Sequence, residues 1–377
     1  MTFNPALHGM RALAALGVLL FHWTGVFPAM TRALENVSFL GMNWDLMFFV
    51  KMGWIGVDWF FVLSGYVLAA TIWHSPLHWR DVLQFWKRRV LRIFPAIWLQ
   101  LFILLLVFHQ LDWLPVFDWQ RTLANMLLWI RPLPYGFQSY NPVVWTLVLE
   151  LSFYFLLPFI LMAYRKTNIW TVLLGVLLIN LFTRFGLHWM RGDPDYTPLV
   201  FLLRVLGPGL QIVFVLGFAL NHFAPRLTNR QRYLLLCVFG LAYVVLLHLG
   251  QPISAEFARR GWEVFGWRTA LSVAIASLVV LFLQPLPGFL WLGSRPLVWL
   301  GELSYGIYLW HLVVQSTLHR LLPDMFATAI GSFVALLICL AITLVLAMMS
   351  YYWLERPILD RFARRPRADT WAVLATP

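Results

Sequence analysis

The sequence predicts an all-α fold, a polytopic transmembrane bundle of about ten helical spans. The chain has 377 residues, of which 61% are hydrophobic and only 12% are charged, and its mean hydropathy is +0.75. This balance lies far outside that of a soluble globular domain. Several apolar runs exceed the ~18 residues that mark a membrane-spanning helix, and the sequence lacks the ~10-residue alternating segments of a transmembrane barrel.

Ten candidate spans follow the apolar runs of the chain in order. They are Met10–Met30, Trp54–His74, Ile93–Leu111, Pro142–Tyr164, Ile169–Phe182, Leu199–Asn221, Tyr233–Leu249, Thr269–Gln284, Leu303–Leu321 and Phe326–Leu354. The first run begins like a signal peptide. We interpret it as a retained helix, because its cleavage-site pattern is poor and cleavage would remove two notable polar residues.

The distribution of charge predicts that both termini face the cytoplasm. With the N-terminus inside, most of the 28 Lys and Arg residues fall in inner segments, as the retention of basic loops requires. Residues 1–355 then form a single transmembrane domain, and residues 356–377 form a short basic cytoplasmic tail. The net charge of +12 does not indicate nucleic-acid binding, because apolar runs separate the basic residues. Cys237 and Cys339 lie inside apolar runs and predict no disulfide and no metal site.

Five ionisable residues lie inside predicted spans: His22, Asp58, Glu150, Arg204 and His311. Such residues are costly in a bilayer and usually face the bundle interior, where they carry function. In the predicted topology all five lie between the midplane and the outer surface, so we expect them to share one site. For Asp58 the alternative is a helix-terminal residue exposed at the outer interface.

Two groups of residues, each on a single predicted helix, suggest a catalytic site. Arg11 and His22 are eleven residues apart, which places them on one helix face about 16 Å apart. The alternative is an anchor arginine at the interface and a core histidine satisfied by a neighbour. Glu150 has Tyr154 four residues later and Trp145 five residues earlier, close to one face. The alternative for Glu150 is a structural ion pair.

A basic cluster precedes the third span in "FWKRRVLRIFP". It places Arg88, Arg89 and Arg92 within about one turn of each other. Because arginine forks match phosphate oxygens, the cluster indicates a phosphate clamp. The alternative is an ordinary positive-inside signal.

Together these motifs resemble the acyltransferase-3 family of bacterial membrane O-acyltransferases. The family's opening pattern of Arg followed by His matches "HGMRALAALGVLLFH", and its second signature matches "GWIGVDWFFVLSGYVL", which contains Asp58 and Ser64. Further signatures match "RRVLRIFP", "WTLVLELSFY", "LGELSYGIYLWH" and "ERP". Each motif alone is weak, but their order along nearly the whole chain is specific. Thr146 stands where serine is commoner.

The resemblance implies transfer of an acyl group, usually acetyl from acetyl-CoA, to a hydroxyl of an envelope or lipid-linked glycan at the bacterial inner membrane. Acyl-CoA is expected as a donor substrate, with no permanently bound cofactor and no metal. The expected partners are acyl-CoA, a glycan or glycolipid acceptor and membrane lipids, without nucleic acid; the oligomeric state stays open. Many relatives carry an extra extracytoplasmic hydrolase-like domain, which we expect to be absent here.

The expected site combines a cationic entrance with a deeper catalytic centre. The donor phosphates are assigned to Arg11, Arg88, Arg89 and Arg92. His22 is the first choice for the general base, because imidazole titrates near neutrality. Glu150 either orients and charge-stabilises His22 or serves as the base itself, and we expect the two side chains to meet. The substrate-binding candidates are Asp58, Ser64, Trp145, Tyr154, Arg204 and His311.

Two other classes of function fit buried charged residues. A proton-coupled transporter or lipid flippase also uses Asp, Glu, His and Arg inside a bundle. The sequence lacks a matching pair of Gly/Pro-broken segments in two halves, which many transporters have. A non-catalytic membrane partner is the second rival.

Overall fold

In the computed structural model, the described residues are 4–35, 37–39, 42–108, 118–131, 133, 136–189, 212–223, 227–255 and 261–362. They form α-helices joined by short turns and one small hairpin. The helices are α1 (Pro5–Val26), α2 (Pro28–Leu34), α3 (Phe48–Lys51), α4 (Gly56–Ile72), α5 (Trp79–Ile103), α6 (Trp119–Met126), α7 (Trp145–Lys166), α8 (Ile169–Trp189), α9 (Ile212–Phe223), α10 (Asn229–Ala255), α11 (Gly261–Leu281), α12 (Arg295–Leu321), α13 (Ala329–Met349) and α14 (Arg356–Phe362). The hairpin pairs β1 (Val37–Phe39) antiparallel with β2 (Met42–Trp44).

The predicted polytopic helical membrane fold is confirmed. Seven helical segments within the described residues are long and apolar enough to cross a membrane, and three shorter apolar helices add Ile169–Thr183, Ile212–Phe223 and Gly266–Leu281. These ten segments correspond in order to the ten predicted spans. The sixth predicted span begins in residues that lie outside the described part of the chain.

Several predicted boundaries are wrong because hydropathy stops at charged residues while helical hydrogen bonding continues through them. The second membrane segment begins at Phe48 instead of Trp54, and the third begins at Trp79 instead of Ile93. The ninth begins at Arg295, eight residues before the predicted start. Polar residues near the predicted helix ends therefore lie further from the ends of the observed segments.

Helix α1 packs most extensively against α12, with further contacts to α4. Its buried face carries small residues, including Ala12 and Ala15, which let neighbouring backbones approach closely. By contrast α10 exposes large apolar side chains such as Leu234 and Leu241. Helices that are apolar outside are suited to contact lipid.

The contacts of α1 fix the direction of its neighbours. Arg11 contacts Ser304 and His22 contacts His311, so α1 and α12 run parallel. The Arg11 guanidinium lies over the Phe60 ring, whereas Ala14 approaches the earlier Gly56, so α4 runs antiparallel to α1. The N-terminal half of α1 therefore packs against the first two turns of α4.

Helix α7 is also antiparallel to α1. Val143, just before α7, clusters with Val18, while Glu150 interacts electrostatically with Arg11. This arrangement sets two levels in the bundle interior, one near His22 and one near Arg11. Their separation along α1 is about 16 Å.

Candidate active site

His22 and His311 form a hydrogen-bonded pair, here called the histidine pair, at the first level. Nδ1 of His22 lies 3.1 Å from Nε2 of His311, and the ring centroids are 5.0 Å apart. His311 is completely buried, whereas His22 remains partly exposed. Nδ1 of His22 is therefore held by the protein, while the residue keeps some exposed surface.

Glu150, Ser64 and Tyr154 form a second group, here called the carboxylate cluster, at the other level. One carboxylate oxygen of Glu150, Oε1, accepts from the Ser64 hydroxyl at 2.9 Å and from the Tyr154 hydroxyl at 2.5 Å. Arg11 and Arg89 interact electrostatically with the same carboxylate. Glu150 is partly buried, and two hydroxyl donors and two nearby cations stabilise its charge.

His22 and Glu150, which we expected to meet, lie apart in the structure. His22 and Glu150 form no hydrogen bond with each other among the described residues, because Glu150 lies at the level of Arg11. The expectation that the five ionisable residues of the spans share one site is wrong for this pair. The partner beside His22 is His311.

Tyr308 lies between the two levels and was not singled out from the sequence. Its hydroxyl is 2.9 Å from Thr146 Oγ1 and 2.9 Å from the Val143 carbonyl oxygen, and its ring centroid is 5.7 Å from that of His311. Thr146 precedes Glu150 by one helical turn. The three-residue spacing of Tyr308 and His311 within "GIYLWH" indicates that they share a helix face. The contact of Tyr308 with Thr146 joins residues 162 positions apart, and no local pattern indicates it.

The three arginines predicted as a phosphate clamp have different environments. Arg92 forms an ion pair with Glu355 at 2.8 Å, and its guanidinium lies over the ring of Tyr305. Arg88 and Arg89 form no ion pair within the described residues. The Nε of Arg89 is buried without a hydrogen-bond partner in that part of the chain. Arg89 is therefore the arginine best prepared to bind an anion, while Arg92 is already neutralised.

Asp58 is buried and paired. It is 4% exposed and lies 3.3 Å from Arg268, which also lies over the ring of Trp54. Asp58 does lie in the first turn of α4, but the alternative of an exposed residue at the outer interface is wrong, because its side chain is buried.

The remaining substrate-binding candidates do not join these groups. Trp145 is 40% exposed and lies at the start of α7, away from the contacts of Glu150. Arg204 lies outside the described residues. The two free cysteines carry no disulfide.

The sequence matches the acyltransferase domain of the acyltransferase-3 family over residues 4–352. The chain belongs to this family. Among curated proteins it is similar to YrhL of Bacillus subtilis, whose name marks it as a candidate peptidoglycan O-acetyltransferase, with 28% identity over 96% of this chain and 56% of that protein. It is also similar to the O-acetyltransferase OatA of Staphylococcus aureus, with 26% identity over 82% of this chain and 50% of that protein. The chain thus spans about half the length of these relatives. No solved structure matches it significantly.

Membership of the acyltransferase-3 family confirms the resemblance drawn from the motifs, and the fold shows how the motifs meet. Residues from different motifs pair across the bundle. These pairs are Arg11 with Ser304, His22 with His311, Ser64 with Glu150, and Arg92 with Glu355. The motifs of the acyltransferase-3 pattern therefore contribute paired polar residues to the bundle interior from six separate helical regions.

Proposed function

We propose that this chain is an integral-membrane O-acyltransferase of the bacterial inner membrane. It transfers an acyl group, with acetyl as the first expectation, from cytoplasmic acyl-CoA to a hydroxyl of an envelope or lipid-linked glycan. The family and the names of the relatives support the class of reaction. The single observation that carries the proposal is a partly exposed imidazole, His22, inside the bundle on the same helix as the cationic Arg11.

The donor side of the proposal rests on the arginines that form no ion pair within the described residues. Arg88 and Arg89 supply charge and planar donors for CoA phosphates. Arg11 lies further along the same interior and donates to the Ser304 hydroxyl. Arg92 supports the site indirectly, since Glu355 already holds its guanidinium.

The acceptor side needs a base, because a sugar hydroxyl is a weak nucleophile at neutral pH. His22 takes the hydroxyl proton as the oxygen attacks the acyl carbonyl carbon of the thioester. Glu150 has another role in this proposal. It organises Ser64, Tyr154 and the nearby cations along the path of the donor, because its contacts are with these groups.

A first experiment tests donor binding with purified protein and acetyl-CoA. We expect acetyl-CoA to raise the thermal unfolding midpoint of the wild-type protein by mass action. Arg89→Ala should weaken this effect strongly, while Arg230→Ala, at an exposed arginine at the start of α10, should leave it unchanged. Equal stabilisation of all three proteins would reject the assignment of Arg89.

A second experiment tests transfer in cells. Mass spectrometry of envelope glycans and lipids, with and without the gene, should show loss of the mass increment of one acyl group. His22→Ala should fail to restore it, because removal of a general base typically costs ~10²- to 10⁴-fold in rate. Full restoration by correctly inserted His22→Ala protein would reject His22 as the base. An unchanged set of acylated molecules after gene loss would favour a transporter or a non-catalytic partner.

A further inference from the structure

The hydrogen bonds around the histidine pair determine which nitrogens carry hydrogen. Nδ1 of His311 lies 2.7 Å from the carbonyl oxygen of Tyr308 and 3.2 Å from that of Ile307. Carbonyl oxygens only accept, so Nδ1 of His311 must carry the hydrogen. In the neutral ring Nε2 of His311 is then an acceptor, and it faces His22.

The same logic extends to His22. Its Nδ1 lies 3.1 Å from that acceptor nitrogen and 3.0 Å from the carbonyl oxygen of Val18. Two acceptors face one nitrogen, so Nδ1 of His22 carries the hydrogen. A doubly protonated His311 would instead force a lone pair of His22 against the Val18 oxygen, which is repulsive. The lone pair of neutral His22 therefore lies on Nε2, which has no protein partner within the described residues.

We infer that His311 is a positioning residue for acyl transfer: it fixes the tautomer and orientation of His22 so that Nε2 faces the acceptor hydroxyl. This inference rests on the proposed function. It gives His311 the orienting role that the sequence suggested for Glu150, and it replaces the assignment of His311 to substrate binding.

The proposed acyl transfer needs only His22 as a base, and all bonds and protons are accounted for. The acceptor hydroxyl gives its proton to Nε2 of His22 while its oxygen forms a bond to the acyl carbon. The bond from acyl carbon to sulfur breaks, and the thiolate of CoA recovers the proton from Nε2. While His22 is an imidazolium, its Nδ1–H donates to Nε2 of His311, and this hydrogen bond to a charged group stabilises the transition state.

The surroundings make His311 a rigid support. It is 0% exposed, and Gln315, one turn further on α12, donates to the carbonyl oxygen of Leu19 at 2.9 Å. This contact ties α12 to α1 close to the pair. The titratable group of the described residues that packs beside His311, apart from His22, is Tyr308, whose hydroxyl is directed to Val143 and Thr146.

Kinetics with purified protein, acetyl-CoA and an extracted envelope acceptor test the inference. His311→Leu should lower kcat by about 10- to 100-fold, the factor that one hydrogen bond to a charged group contributes, while KM for acetyl-CoA and stabilisation by acetyl-CoA stay unchanged. His311→Gln places an acceptor oxygen near the position of Nε2 and should recover much of kcat. His319→Leu, at an exposed histidine on the same helix, is the matched control and should keep wild-type kcat.

These outcomes separate a positioning role from a structural one. An unchanged kcat in folded His311→Leu protein would overturn the inference, as would a Gln variant no better than Leu. If acetyl-CoA stabilised neither the wild-type protein nor any variant, that result would instead count against the proposed function.

A direct measurement does not depend on activity. In ¹⁵N spectra of histidine-labelled protein, the signals of His22 are identified by their loss in His22→Gln. We expect the Nδ1 signal to be that of a protonated nitrogen and the Nε2 signal that of an unprotonated one. The opposite tautomer in wild-type protein would overturn the inference even if transfer activity is confirmed.

Discussion

Arg92 pairs with Glu355 and so stabilises the fold around the site, instead of binding a ligand directly. Glu355 lies in the π-helical turn Ser350–Glu355 and is 1% exposed, whereas Arg92 is 23% exposed. The second carboxylate oxygen of Glu355 accepts from Ser350 at 3.0 Å. The pair joins α5 to the end of α13, so it holds the helix that carries Arg88 and Arg89.

Breaking this pair should destabilise the protein strongly. We expect Arg92→Met to cost about 3–5 kcal/mol, because removing one member leaves a buried charge uncompensated. The lower end of that range is expected, since Arg92 is partly exposed and solvent screens its charge. Thermal unfolding midpoints in detergent, at one scan rate, measure the loss.

The double variant Arg92→Met with Glu355→Leu provides the decisive comparison. Because it removes both charges, it should be more stable than Arg92→Met alone. Arg361→Ala, at an exposed arginine of α14, should have little effect. A double variant less stable than either single one would contradict the buried-pair explanation.

Single polar residues could be recognised from the sequence, but their partners could not. Arg11, His22 and Glu150 were visible because each interrupts an apolar run. The bond between His22 and His311 joins residues 289 positions apart, and no local pattern encodes that distance. The pairing instead depends on the parallel packing of α1 and α12.

At the scale of elements, α4 and α9 approach each other through two glycines. A Cβ atom on Gly65 would lie 2.1 Å from the carbonyl oxygen of Phe214, and one on Gly217 would lie 2.1 Å from that of Val62. Both obstacles are backbone atoms, which cannot move aside as a side chain can. Small residues at helix contacts commonly allow such close packing in membranes.

Gly65→Val should therefore separate α4 from α9. We expect a loss of at least the ~1–3 kcal/mol typical of overpacking, together with reduced acyl transfer, because the adjacent Ser64 would shift from Glu150. Gly240→Ala on α10 is the matched control, since no atom lies within 4 Å of its added Cβ, and it should be neutral or slightly stabilising. Normal stability and activity of Gly65→Val protein would show that the two helices can separate without cost.

The existence of the helices was predictable and their lengths were less so. Hydropathy located ten apolar segments because lipid selects for them directly. It could not find the hairpin of β1 and β2, which is too short for a periodic signal. It also could not assign Arg232, whose basic side chain looked like a topology signal. Arg232 is buried and donates to the carbonyl oxygens of Leu281 and Pro285, where it caps the end of α11.

For the whole molecule, orientation determines which compartment can supply each substrate. The histidine pair and the arginines lie at different levels of α1, about 16 Å apart from Arg11 to His22. If the N-terminus is inside, as charge distribution predicts, the arginines lie toward the cytoplasm and His22 lies toward the outside. This order matches a cytoplasmic CoA thioester and an extracytoplasmic acceptor.

Cysteine labelling in intact cells tests that orientation. In a background with Cys237→Ser and Cys339→Ala, single cysteines are placed at exposed positions between membrane segments. The predicted outer positions are Gln120→Cys and Asp324→Cys, and the predicted inner positions are Pro76→Cys and Pro287→Cys. A membrane-impermeant maleimide should label the two outer positions directly and the two inner ones only after permeabilisation. Complete inversion of the pattern would reverse the orientation, and the proposed donor, cytoplasmic acyl-CoA, could then not reach the arginines. Labelling that divides either pair would show that the number of crossings between those positions is wrong, because ten spans place each pair on one side.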